Sequence, residues 1–109
     1  MATIRFGQLG RLKKDKIEEY TKLHANVWPE VLKTITQCNL KNYSIFLHGD
    51  LVFSYFEYIG TDYEADMAKM AADPVTQNWW THTHPCFDEF AISPDSEFYH
   101  DMNPIFYHE

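Results

Sequence analysis

The strongest constraint on what this chain can fold into is a pair of neighbouring segments, Leu40 to Leu47 (LKNYSIFL) and Leu51 to Ile59 (LVFSYFEYI), separated only by His48-Gly49-Asp50. Aromatic and branched residues dominate both, and the Gly-Asp joint suits a tight reversal, so the two segments predict a β-hairpin. In the second segment Leu51, Phe53, Tyr55 and Glu57 alternate with Val52, Ser54, Phe56 and Tyr58. Successive strand side chains point to opposite faces, and here both sets carry apolar or aromatic groups. The sheet built on this hairpin therefore has two faces to cover.

The surrounding segments supply one cover. Thr3 to Leu12 mixes Ile4, Phe6 and Leu9 with polar alternates and reads as a strand. A helical stripe follows, with Ile17, Tyr20, His24, Val27, Trp28, Val31 and Ile35 recurring at three- and four-residue spacing, and with Glu18 and Glu19 near its positive end. Pro29 removes a backbone bond and clashes one turn back, which predicts a break near Ala25 to Trp28 and a second helix starting at the proline. After the hairpin, Thr61-Asp62 offers a cap for a helix over Tyr63 to Ala72. Asp73-Pro74 ends that helix and starts another, which carries Val75, Trp79 and Trp80. Ile105-Phe106-Tyr107 is the expected closing strand. The order strand, helix, strand, strand, helix, strand predicts an α+β, ferredoxin-like split βαβ domain over residues 1–109, an antiparallel sheet with helices on one face. The uncovered face has to meet a ligand, a second subunit, or both, as in a dimeric α/β-barrel arrangement.

Charge and composition narrow the function. Nine basic residues against 16 acidic give a net charge of -7, which argues against nucleic acid or an anionic membrane surface as partner. Two cysteines, Cys38 and Cys86, make no disulfide framework. No charged-then-apolar leader opens the sequence, and no apolar run reaches the roughly 18 residues of a membrane span, so a cytoplasmic protein is expected. Aromatic residues are 17% of the chain, above what a small core requires, and that excess calls for a second use.

Tyr20, His24 and Trp28 lie four residues apart on one helix stripe. A histidine there is either a packed core residue or, beside a cleft, a general acid/base, because its ordinary pKa near 6.5 lets it exchange protons near neutrality. Tyr20 one turn earlier offers a hydroxyl, with helix–sheet packing as the alternative. Trp79 and Trp80, about 100° apart on a helix, suggest one ring packed inward and one lining a cavity. Tyr43 falls on the same strand face as Ile45 and Leu47, where its hydroxyl needs a partner. His82-Thr83-His84-Pro85-Cys86 alternates imidazoles and a thiol but lacks a second ligand cluster, so a polar loop is expected there and no metal. No Gly-rich phosphate loop, nucleophile elbow or paired carboxylates are present.

Taken together, Glu19-Tyr20-x-x-x-His24-x-x-x-Trp28-Pro29-Glu30, Asn42-Tyr43-Ser44-Ile45, and Asp73-Pro74-Val75 leading to Trp79-Trp80 resemble the L-rhamnose mutarotase family in order and spacing. The resemblance implies a ferredoxin-like homodimer that interconverts the α and β anomers of L-rhamnopyranose without a cofactor. It further implies His24 as proton donor and Tyr20, Tyr43, Trp79 and Trp80 as sugar-binding residues. The chain departs from the family's pattern after Trp80, at the rim of the expected pocket. Another 6-deoxy sugar such as L-fucose is thus the nearest rival substrate, and a dimeric ferredoxin-like oxygenase or haem-binding protein is the alternative class.

Overall fold

The computed structural model describes residues 3–88 and 99–109. Its elements are β1 (Ile4–Arg11), α1 (Ile17–Ala25), α2 (Pro29–Gln37), β2 (Leu40–His48), β3 (Leu51–Tyr58), α3 (Tyr63–Ala72), α4 (Pro74–Thr83) and β4 (His100–Met102), with 3-10 turns at Lys14–Lys16 and His84–Cys86. The strands form one antiparallel sheet in the order β2-β3-β1-β4, the α+β, ferredoxin-like arrangement expected from the sequence.

Local chemistry explains most of the boundaries. The hairpin is tighter than the sequence suggests: His48 pairs with Leu51, leaving Gly49-Asp50 as the turn, and Gly49 takes a φ of 62° that a side chain would resist. Helix α1 stops at Ala25, Trp28 is extended, and Pro29 occupies the first turn of α2, where its missing N–H costs nothing. Asp62 caps α3 by accepting from the Ala65 amide, and Asp73 caps α4 by accepting from both the amide and the hydroxyl of Thr76 at 2.9 and 2.8 Å.

The closing strand differs from expectation. Residues 100–102, not Ile105-Phe106-Tyr107, pair with β1, joining Gly7 to Met102, Gln8 to Asp101 and Leu9 to His100. Apolar content alone favours the later segment, but Pro104 cannot donate to a ladder and the chain leaves the sheet there. Ile105 and Phe106 lie in the open, and the Tyr107 ring sits under the Arg5 guanidinium, 3.3 Å from ring centroid to charge centre.

Among the described residues, helices cover one sheet face only. On β3 the buried set is Val52, Ser54, Phe56 and Tyr58, while Leu51, Phe53, Tyr55 and Glu57 on the other face are half-exposed. The helix-facing core divides in two. Leu12, Tyr20, Val52, Cys86 and Phe87 pack at one end, and Leu40, Phe56 and Tyr58 at the other with Phe6, Tyr63 and Met67 against them. The interruption between these clusters is where the cavity forms.

Candidate active site

A cavity of about 320 Å³ opens between the sheet and helices α1 and α4, within the usual range of about 300–1,000 Å³ for small-molecule sites. Gln8, Tyr43 and Ile45 rise from the sheet, Tyr20 and His24 come from α1, and Trp79, Trp80, Thr83 and His84 come from α4 and the turn after it. Phe87 and Tyr99 close the far side. All five residues expected from the sequence therefore meet at one cavity. A wider hollow of about 640 Å³ lies on the outer side of Trp80, among Gln77, Thr81, His84 and Pro85, but it is an open surface that His24 does not line.

His24 owes its geometry to its own helix. Its Nδ1 lies 2.9 Å from the Tyr20 carbonyl oxygen one turn back. A carbonyl only accepts, so the bond places the proton on Nδ1 and leaves Nε2 with a free lone pair. Burial holds the imidazole pKa below its ordinary value, with the Tyr20 carbonyl bond partly opposing the shift. The ring tilts against Tyr20, centroids 4.3 Å apart, and meets Trp79 edge-on at 5.5 Å. His24 is thus neutral at pH 7, fixed in one tautomer and able to accept a proton at Nε2.

The aromatic walls are held from behind. Trp79 is buried and braced edge-on by Trp28 at 5.2 Å, which gives Trp28 a supporting place outside the cavity. Trp80 is half-exposed and stacks on His84 at 5.3 Å. Tyr43 reaches the cavity through a β-bulge between Lys41 and Ser44, with Asn42 in the left-handed region at φ 52°, and its ring stacks on Phe56 at 5.3 Å. Burial of its hydroxyl raises its pKa, which the nearby Ser54 hydroxyl partly offsets, although part of the side chain remains solvent-exposed.

Tyr99 and Phe87 escaped the sequence reading. The hydroxyls of Tyr20 and Tyr99 lie 2.9 Å apart, and Phe87 meets both rings edge-on. Burial is the main cause holding both phenols far above their ordinary pKa, so the pair stays neutral and donates hydrogen bonds. Gln8 was also missed; its signal was a lone polar residue in the helix-facing row of β1.

The His82-His84-Cys86 run separates onto different partners. His82 is exposed and edges onto Trp28, His84 stacks on Trp80, and the Cys86 thiol donates to Glu19 Oε2 at 3.3 Å. Burial and the Glu19 carboxylate push that thiol up to about 11, so it is an unreactive core group. Among the described residues no group of three or more His, Cys, Asp or Glu is placed to hold a metal ion. None of the described residues lining the inner cavity carries a fixed charge, and tyrosine and threonine hydroxyls, an amide and imidazoles stand against indole faces. Such a site suits a neutral, hydroxylated ligand with an apolar side.

Comparison with known proteins agrees with this chemistry. A family model described as L-rhamnose mutarotase (rhaM) matches residues 5–108. The chain belongs to the L-rhamnose mutarotase family. Relatives named L-rhamnose mutarotase include one from Lactiplantibacillus plantarum, 36% identical over 78% of this chain and 81% of that protein. Another, from Oceanobacillus iheyensis, is 32% identical over 94% of this chain and 96% of that protein. The crystal structure of an L-rhamnose mutarotase from Formosa agariphila superposes with a TM-score of 0.76 at 21% identity, covering 97% of this chain and 99% of that one, which speaks to the fold. Among the described residues, no helix is long and apolar enough to cross a membrane.

Proposed function

We propose that the chain is a carbohydrate isomerase, of the racemase and epimerase kind, that interconverts the α and β anomers of L-rhamnopyranose. The observation that carries the reading is His24, pinned through Nδ1 to the Tyr20 carbonyl, with Nε2 free on a cavity walled by Trp79 and Trp80 whose described lining carries no fixed charge. Family membership supports the substrate.

The mechanism follows from these groups. Neutral His24 takes the proton of the anomeric hydroxyl O1 at Nε2 as the C1–O5 bond breaks and C1 becomes a carbonyl. The imidazolium so formed is the proton donor to O5, which shares C1 with O1 and lies within reach of the same nitrogen. The aldehyde turns about C1–C2, and the steps reverse on its other face. Protons and electron pairs balance without a redox partner. A well-placed acid/base group contributes about 10²–10⁴-fold, enough for a reaction that already proceeds in water. Tyr20 and Tyr43 hold ring hydroxyls, and the Trp79 and Trp80 faces take the C–H side and the 6-methyl group. The family match favours this reading over a haem protein, and among the described residues no fixed positive charge lines the cavity to meet haem propionates.

We further infer a homodimer. Leu9, Phe53 and Phe46 stand side by side on the helix-free sheet face, and Phe46 is 63% exposed. A second copy covering this row removes apolar surface that one chain leaves in water. The free, buried Cys38 and Cys86 fit a reducing cytoplasm.

Polarimetry of freshly dissolved crystalline α-L-rhamnose tests the activity. The rotation should relax to equilibrium much faster with protein than in buffer, and faster than with L-fucose. Equal relaxation with and without protein removes the proposal.

A further inference from the structure

The helix-facing side of the sheet is a ladder of apolar rungs with one exception. Ile4-Tyr58-Leu40, Phe6-Phe56 and Gly10-Val52-Leu47 are aromatic, aliphatic or glycine, whereas the rung between the last two is Gln8-Ser54-Ile45. Residues directly opposite on an antiparallel pair share a face, so on β1 and β3 two polar side chains lie next to each other between apolar rungs, and Asp101 of β4 extends the same rung at the sheet edge. That rung coincides with the cavity floor: Gln8 and Ile45 line it, and Ser54 sits beneath them, 2% exposed, with its hydroxyl near that of Tyr43. Packing does not call for an amide here, and Gln8 is half-exposed where the layer opens into the cavity.

The amide is oriented from outside the cavity. Gln8 Nε2 donates to Asp101 Oδ1 at 2.8 Å, from the residue opposite Gln8 on β4. A carboxylate only accepts, so the nitrogen faces Asp101, and among the described residues the amide oxygen Oε1 is the end without a protein partner. The cavity thus has a positioned acceptor on its floor, opposite the aromatic wall of α4.

We propose that Gln8 is a specificity-determining residue whose Oε1 accepts a hydrogen bond from one ring hydroxyl of the sugar, with Asp101 as the positioning residue that holds the amide. This rests on the mutarotase reading above and adds the residue that distinguishes one hydroxyl pattern from another. A ligand with hydrogen in place of that hydroxyl leaves Oε1 desolvated and unpaired, the situation a polar site rejects most strongly.

The test is anomeric exchange measured on L-rhamnose and its 2-, 3- and 4-deoxy analogues. The wild type should lose roughly 10- to 100-fold in kcat/KM on one of the three analogues through the Gln8 contact. Gln8→Met, which keeps the side-chain length, should lose a similar factor on L-rhamnose and become indifferent to that same deletion, while its response to the other two is unchanged. Asp101→Ala should show a smaller loss in the same direction, mainly in KM, and Asp101→Asn should recover it by accepting the same bond. Asp101 is on the surface, so its variants carry the test if Gln8→Met does not fold. An active wild type whose analogue profile is unaltered in folded Gln8→Met, or in Asp101→Ala, overturns the role of Gln8 alone. A wild type that does not exchange L-rhamnose anomers overturns the mutarotase reading and this proposal with it.

Discussion

Replacing His24 separates the chemistry of the cavity from its architecture. His24→Ala removes the only group on α1 that changes protonation near neutrality, and with it the Nε2 lone pair left free by the Tyr20 carbonyl bond. If the imidazole is the proton carrier, kcat should fall by about 10²–10⁴-fold, or roughly 3–5 kcal/mol in the barrier at 1.36 kcal/mol per decade. The fold should lose far less. His24 is half-exposed, its Nδ1 bond stays within its own helix, and its ring contacts are to Tyr20 and Trp79, which keep their other neighbours Phe87 and Trp28. A loss of about 1 kcal/mol corresponds to a melting shift of roughly 4–8 °C for a domain of this size. The assay pairs exchange rates with a thermal melt, and adds free imidazole to the variant. Imidazole should enter the vacated space and restore part of the rate. Full activity in a folded His24→Ala, or a loss of rate matched by a loss of fold, would refute the reasoning.

Four further outcomes follow from the geometry. Because burial lowers the His24 pKa, kcat/KM should rise with pH through a midpoint below 6.5 and be flat at neutrality; a rate that falls as pH rises through that region contradicts His24 as the first acceptor. The same shift affects stability: between the two pKa values the unfolded chain binds more protons, so this contribution is fully present above pH 6.5 and is lost as pH falls towards the folded value, as denaturant titrations should record. Asp73→Ala removes the cap of α4, the helix carrying Trp79 and Trp80, and should cost about 0.5–2 kcal/mol and raise KM, whereas Asp73→Asn should recover most of both. Light scattering should give twice 12.9 kDa, and Phe46→Glu should shift it towards the monomer; a monomeric wild type contradicts the homodimer.

Much of this architecture was legible because its causes are local. The hairpin follows from alternating residues and Gly49, the break before α2 from Pro29, and the caps from Asp62 and Asp73, all acting within a few residues. Tyr20 and His24, and Trp79 and Trp80, could be grouped because each pair shares a helix. The closing strand was misplaced because Ile105-Phe106-Tyr107 has strand-like composition, whereas pairing depends on which segment reaches the free edge of β1 before Pro104. Tyr99 was missed for the same kind of reason: it meets Tyr20 across 79 positions of sequence, and no periodicity records such a contact. Gln8 and Ser54 left a trace, polar residues in an apolar row, but it gains meaning only from the register that makes them neighbours.

The claim that this cavity is a mutarotase site is tested most directly by proton NMR of L-rhamnose at anomeric equilibrium, saturating one H1 signal and observing the other. With catalytic protein the saturation should pass between the α and β signals at a rate that scales with protein concentration and far exceeds that in buffer. The same transfer rate with and without protein would contradict the account.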